Sequence, residues 1–251
     1  MSFESKRVLV TGSSRGIGFA IAQELLSRGA YVAINGRSVA TVQAAYLALG
    51  EHERAIKVVG DVGSAAGCED IVTQAVQALG GLDILVNAAG VDYSTAIEDT
   101  TEELWDATLD INLKGVFFCC RAALPALKES GGNIVNIASD AGLQGERLMP
   151  AYCASKAGVI NMGRALALDL APRVRINSVC PGYVDTDMVR RDFIEKSDNP
   201  AATEQALKDM APLQRIAAPS EIAKAVDYLA SDDAKNITGI ALAIDGGTTA
   251  G

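Results

Sequence analysis

The chain has 251 residues, of which 49% are hydrophobic, 21% charged and only 5% aromatic, with 24 glycines and a formal net charge of -9. That much apolar material supports a substantial core and excludes global disorder. The acidic balance argues against general nucleic-acid binding, which needs a positive surface, while leaving room for an anionic ligand in a locally basic pocket. Cys68, Cys119, Cys120, Cys153 and Cys180 form no CxxC pair, and His52 is the single histidine, so no metal site is expected. The cysteines read as free buried thiols of a reducing compartment. Met1 to Arg7 lacks the apolar run of a signal peptide and no later run is long enough for a bilayer, so the expectation is a cytoplasmic protein without a membrane partner.

The first expected strand, Arg7–Val10, runs into Thr11-Gly12-Ser13-Ser14-Arg15-Gly16-Ile17-Gly18 and then a helix, Gly18–Arg28. Gly12 permits a sharp turn, and Gly16 and Gly18 allow close approach of backbone to ligand and of helix to sheet. With Ser14, Arg15 and Ile17 between them, the exposed N–H groups of the helix start would favour a pyrophosphate. The spacing is G-x-x-x-G-x-G rather than the G-x-G-x-x-G of the common dinucleotide fingerprint.

The second strand, Tyr31–Ile34, ends in Asn35-Gly36-Arg37-Ser38. A fold that binds NAD usually has Asp or Glu here to accept from the ribose 2′-hydroxyl. No carboxylate stands there to repel a 2′-phosphate, and Arg37 is suited to pair with one, with Arg15 approaching from the other side. The residues therefore favour NADP(H), with NAD(H) as the lesser alternative.

A helix at Val39–Leu49, a strand at Ala55–Val59, a helix at Glu69–Leu79 and a strand at Ile84–Asn87 follow. Next come a long helical stretch, Thr101–Lys128, and a strand, Asn133–Ala138, that delivers Ser139 to the carboxyl end of the sheet. The helix Ala151–Leu170 begins with Tyr152-Cys153-Ala154-Ser155-Lys156, whose tyrosine and lysine share one helix face. A phenol is a poor proton donor or base near neutrality, and the expectation is that the Lys156 ammonium lowers the Tyr152 pKa toward the working range. A strand at Arg175–Val179, an irregular segment at 186–219, a helix at Pro219–Ser231 and a strand at Ile240–Ile244 complete the chain. Strands alternating with helices indicate an α/β fold with a Rossmann-type doubly wound parallel sheet and helices on both faces. No linker divides residues 1–251, so one domain is expected, with 186–219 as a substrate lid.

Taken together, these motifs resemble the short-chain dehydrogenase/reductase family over nearly the whole chain, from the first strand to Asp245-Gly246-Gly247. Thr11–Gly18 matches the family's T-G-x-x-x-G-x-G, and Asp61, followed by Val62, is similar to the aspartate at the adenine ring. Asn87-Ala88-Ala89-Gly90 resembles N-N-A-G, departing from it at Ala88, where a modest effect on stability is expected. Asn112, Ser139, Tyr152 and Lys156 fall where the family carries its catalytic tetrad, and Pro181-Gly182-Tyr183-Val184-Asp185-Thr186 matches P-G-x-V-x-T beside the nicotinamide.

The resemblance implies an enzyme that moves a hydride between nicotinamide and a carbonyl or secondary alcohol. Ser139 and Tyr152 would bind the reacting oxygen, Tyr152 would exchange its proton, and Lys156 would hold the ribose hydroxyls. Asn112 would keep a water in line with Lys156. It also implies a homotetramer built partly through the helices at 104–128 and 151–170, whose small residues Ala157, Gly158, Gly163 and Ala165 otherwise serve packing within one subunit. The substrate walls are expected at 92–96, 141–150 and 186–212. Leu143, Leu148, Met149 and Met188 there suit an acyl chain, whereas Gln144, Glu146 and Arg147 suit a sugar or polyol. Arg190 and Arg191 are candidates for the phosphate of a carrier arm. The members most alike are 3-oxoacyl-thioester reductases. A sugar or polyol dehydrogenase is the alternative, and a non-catalytic cofactor sensor a more distant one.

Overall fold

The computed structural model describes residues 3–250. Seven strands, β1 (Arg7–Thr11), β2 (Tyr31–Gly36), β3 (Ala55–Val59), β4 (Ile84–Asn87), β5 (Asn133–Ile137), β6 (Arg175–Pro181) and β7 (Ala241–Ile244), form one sheet. Their order is β3-β2-β1-β4-β5-β6-β7, and every pairing is parallel. The helices are α1 (Gly16–Ser27), α2 (Val39–Ala48), α3 (Ala65–Leu79), α4 (Glu102–Leu109), α5 (Gly115–Ser130), α6 (Pro150–Leu170), α7 (Asp187–Val189), α8 (Pro200–Met210) and α9 (Pro219–Ala230).

Period-two alternation along the strands sends side chains to two cores. Val8, Val10, Val32, Ile34, Ile84 and Val86 pack on one face against Ile21 and Leu25 of α1, Val42 of α2 and Ile222, Val226 and Leu229 of α9. Leu9, Ala33 and Leu85 point the other way, onto Ile71 and Val72 of α3, Cys119 and Leu127 of α5 and Val159 and Ile160 of α6. The result is the doubly wound, single-domain α/β architecture expected from the strand–helix alternation. β1 lies between β2 and β4, so the chain reverses its direction of travel across the sheet there, and a crevice opens at the carboxyl ends of the strands.

The expected continuous helix at 101–128 is interrupted. A π-helical turn, Asp110–Lys114, separates α4 from α5 and carries Asn112. Two contacts account for this wider turn. Gly115 lies so close to β3's exit loop that a Cβ there would stand 2.6 Å from the Val62 carbonyl oxygen, and Asn112 is tied to Val91 on the loop after β4. π-turns of this kind concentrate at functional sites.

The segment 186–219 has its own small core of Val189, Ile194 and Leu207, backed by Tyr183 and Ile216. Arg190 binds Asp185 through Nε at 2.6 Å and Nη2 at 3.0 Å, and reaches Glu204 of α8 through Nη1 at 2.7 Å. This arginine, a candidate for a carrier phosphate, is therefore committed to carboxylates that staple the segment together. All five cysteines are free thiols. No helix among the described residues is long and apolar enough to cross a membrane.

Candidate active site

The glycine loop between β1 and α1 is built from short side chains that satisfy one another. Thr11 Oγ1 accepts from the N–H groups of Ala88 and Ala89 at 3.1 and 3.3 Å, which fixes the loop after β4 against the loop after β1. Gly12 sits at φ 63°, and a Cβ there would come 2.5 Å from Ala89 Cα, so no side chain fits. Asn35 Oδ1 accepts from the Gly12 N–H at 3.1 Å while its Nδ2 donates to the Gly60 carbonyl at 3.2 Å. Asn35, at the end of β2, thus braces the turn.

A cavity of about 600 Å³ runs along the carboxyl ends of the strands. Its inner wall is Gly12, Ser14, Arg15, Gly16, Ile17 and Gly18; Arg37, Asp61 and Val62 line one end, and Ala89 and Gly90 the floor. Ser139, Tyr152, Lys156, Pro181, Gly182, Val184 and Thr186 line the other end. Arg15 and Arg37 are exposed and, among the described residues, pair with no carboxylate. The glycine approach at one wall and the two uncommitted guanidinium groups on the lining suit a dinucleotide.

Two expected site residues sit elsewhere. Asn87 is 2% exposed, and its Nδ2 donates to Asn136 Oδ1 at 2.8 Å, so its side chain ties β4 to β5 instead of lining the cleft. Asn112 is fully buried behind the floor. Its Oδ1 accepts from Val91 N–H at 2.9 Å, and its Nδ2 donates to Val91 O at 2.8 Å and to Ser155 Oγ at 3.2 Å. Its amide is spent on holding the loop after β4 to α6, next to Lys156 rather than in the cavity.

Tyr152 and Lys156 lie together on α6 as their spacing requires, with Lys156 Nζ 5.5 Å from the Tyr152 ring centre and donating to the Ile137 carbonyl at 2.9 Å. Burial lowers the Lys156 ammonium to about 8. The expected depression of the Tyr152 pKa is not what this environment produces. Burial drives the phenol above its ordinary value and the nearby Asp92 charge adds to the rise, opposed by a hydrogen bond with Ser139. Burial here outweighs the neighbouring ammonium and favours the protonated phenol.

No motif in the sequence marks Asp140. Its side chain is buried, with Oδ1 accepting from Ser139 Oγ at 3.0 Å and from Ala141 N–H at 2.8 Å. Burial pushes its carboxyl up to about 6, partly offset by those two hydrogen bonds, with Glu146 and Asp245 adding repulsion. An unfolded aspartate loses its proton near pH 4, so between about pH 4 and 6 the native state binds more protons and stability falls as pH rises. Asp140→Asn is therefore expected to stabilise the protein at pH 7.5 by about 2 kcal/mol, a rise in Tm of about 4–8 °C. Thermal melts should show the gain shrinking to nothing at pH 4; an equal gain at both values would contradict the assignment.

The substrate walls are narrower than expected. Asp92, Ala141, Glu146, Met149, Met188, Val189 and Phe193 face the cavity, joined by Asp140 and Tyr183, which lie outside the expected walls. Leu143 and Leu148 are exposed and are not among its lining residues.

A family model described as enoyl-(acyl carrier protein) reductase matches residues 12–249. The chain belongs to the short-chain dehydrogenase/reductase family. Meso-2,3-butanediol dehydrogenase of Serratia marcescens is 36% identical over 251 residues, covering 100% of this chain and 97% of the relative. A protein of Streptomyces virginiae assigned as a monensin polyketide synthase ketoacyl reductase is 40% identical over 255 residues, covering 97% of each. A solved structure assigned as a short-chain alcohol dehydrogenase of Sinorhizobium meliloti superposes with a TM-score of 0.92 at 35% identity, covering 99% of this chain and 98% of that one. As a short-chain dehydrogenase/reductase, this chain is an oxidoreductase acting on alcohols and ketones through NAD(P)(H).

Proposed function

We propose that this enzyme is an NADP(H)-dependent reductase of a ketone, working reversibly on the secondary alcohol, with Ser139, Tyr152 and Lys156 at the reacting end. The observation that carries the cofactor choice is the pair Arg15 and Arg37, uncommitted on the cavity lining where the end of β2, Asn35-Gly36-Arg37-Ser38, holds no carboxylate. When bound, the dihydronicotinamide supplies the hydride that reaches the carbonyl carbon. Gly12 to Gly18 would hold the pyrophosphate, Asp61 and Val62 the adenine, and Ala89, Gly90, Pro181, Gly182, Val184 and Thr186 the nicotinamide half.

Ser139 and Tyr152 orient the carbonyl oxygen, and the Tyr152 proton moves onto it as negative charge develops. In the oxidation direction Tyr152 takes that proton back. Lys156 supplies the positive charge that makes a transient phenolate tolerable in a buried site, and Asn112 positions the loop beside it. The segment 186–219, stapled by Arg190, covers the substrate.

Two substrate readings have support. A 3-oxoacyl thioester agrees with the apolar wall of Met188, Val189 and Phe193 and with the acyl-carrier description of the family model. A polyol or hydroxyketone agrees with Asp92, Asp140 and Glu146, which line the same cavity, and with the butanediol relative. A cofactor sensor without turnover would have no use for Tyr152 and Lys156 beside Ser139.

We also propose a cytoplasmic homotetramer. Gly158 and Gly163 are spent inside the subunit, against Leu113 and beside Ser178, but Ala154, Ala157, Ala165 and Leu168 form an exposed stripe on α6 beyond them. Exposed Trp105 and Phe117 on α4 and α5 extend the apolar surface. Sedimentation at micromolar concentration should give four subunits, and a monomer would contradict it. For the cofactor, fluorescence titration should give a Kd for NADPH at least about tenfold below that for NADH; equal values would remove the assignment.

A further inference from the structure

The substrate end of the cleft carries an acceptor that the hydride-transfer reading leaves unused. Asp140 is 7% exposed, and both hydrogen bonds it receives fall on Oδ1. Among the described residues Oδ2 has no hydrogen-bond partner, and it is not one of the sealed-in unpaired atoms of the core; Asp140 lines the cavity. Gly182, on the same wall, keeps the space beside it open. A Cβ at Gly182 would stand 3.2 Å from Oδ2, so any other residue would crowd that oxygen.

Charge nearby reinforces what this oxygen can take. Glu146 and Asp245 both act on Asp140 as like charges, and Asp92 lines the same end of the cavity. Arg147 and Arg190 are not among the lining residues, and Arg190 is consumed by Asp185 and Glu204. A carboxylate or phosphate beside the reacting carbon would meet repulsion, and an alkyl group would leave the buried oxygen desolvated and unpaired, which is costly. A hydrogen-bond donor would satisfy it.

Resting on the ketone-reductase reading above, we propose that Asp140 is a specificity-determining residue whose Oδ2 accepts a hydrogen bond from a hydroxyl on the carbon adjacent to the reacting carbonyl. The substrate class is then an α-hydroxyketone and its product a vicinal diol. The placement follows from the chain of contacts. The reacting oxygen lies beside Ser139 Oγ, whose single proton rests on Asp140 Oδ1 at 3.0 Å and turns to the carbonyl when a substrate is bound, and Oδ2 is the other oxygen of the same carboxylate. A neighbouring hydroxyl therefore meets the carboxylate that already orients the serine. Retaining a buried acid that weakens the fold at neutral pH is the trade expected of a site kept for function.

The test compares kcat/KM for 3-hydroxy-2-butanone, 3-methoxy-2-butanone and 2-butanone with saturating NADPH, and adds an acetoacetyl thioester. The methoxy compound keeps the oxygen and removes the donor. For the wild-type enzyme the hydroxyketone should exceed both other ketones by about 10- to 100-fold, the range for a hydrogen bond to a charged acceptor. In Asp140→Asn, whose amide oxygen still receives the Ser139 hydroxyl but whose NH₂ donates, the hydroxy-to-methoxy ratio should fall to within about threefold. Turnover of 2-butanone with a wild-type ratio near one, or preference for the thioester, would overturn the role of Asp140 while leaving ketone reduction standing. A wild-type preference that survives in Asp140→Asn would also overturn it. Loss of all four activities in the wild-type enzyme would instead bring down the reductase reading itself, and this inference with it. Should Asp140→Asn fail to fold, the wild-type hydroxy-to-methoxy ratio alone decides.

Discussion

Tyr152→Phe is expected to lower ketone turnover by about 10²- to 10⁴-fold while leaving the Kd for NADPH nearly unchanged. The substitution keeps the ring and removes only the hydroxyl, so α6 should pack as before. Lys156 keeps its bond to the Ile137 carbonyl, which does not involve the phenol. What is lost is the proton that burial holds on Tyr152 well above neutral pH. Such a proton is retained until charge builds on a neighbouring oxygen, which is what carbonyl reduction requires. Steady-state rates and a dinucleotide titration on the same preparation check both halves. A rate within tenfold of wild type would dismiss Tyr152 as the acid, and a parallel loss of NADPH binding would recast it as a cofactor contact.

Arg37→Ala should weaken NADPH by about 10- to 100-fold and change NADH by no more than about threefold. The 2′-phosphate carries most of two negative charges, and a planar guanidinium meets it with two parallel donors. Among the described residues no carboxylate pairs with that guanidinium. The neighbouring Ser38 accepts from Thr41 N–H to cap α2, and Asn35 is occupied with the glycine loop, so removing Arg37 disturbs neither. Arg15→Ala should act in the same direction. Equal weakening of both cofactors would mean that Arg37 shapes the loop and does not read the phosphate.

How far the sequence carried the site depends on which features are local. Thr11–Gly18, and the four-residue spacing of Tyr152 and Lys156, are read directly because a turn and a helix face follow from short-range geometry. The strands are similarly visible, since Val8, Val10, Val32 and Ile34 are β-branched and lie in short apolar runs buried on both faces of the sheet. The π-turn at Asp110–Lys114 is not visible, because none of Asp, Ile, Asn, Leu and Lys breaks an ordinary helix as Gly or Pro would. It arises from Gly115 against Val62 and Asn112 against Val91, both set by tertiary approach.

The same limit explains Asn87 and Asn112, whose motif positions hold while their side chains turn to Asn136 and Val91. It also explains Tyr152. A lysine four residues away is legible and predicts a lowered pKa, but the extent of burial, which wins here, is a property of the whole cleft. Arg190 looked available because Asp185 and Glu204 are close to it only once the segment folds. Asp140 had no motif to announce it. Its importance comes from one bonded and one open oxygen, which no spacing encodes.

The most direct test of the account is turnover itself, measured as NADPH and NADH consumption by the wild-type enzyme across hydroxyketones, simple ketones and an acetoacetyl thioester, with the alcohols run in reverse. The account predicts carbonyl-dependent oxidation of the reduced dinucleotide, faster with NADPH than with NADH. Tight dinucleotide binding with no turnover of any carbonyl or secondary alcohol in either direction would contradict it.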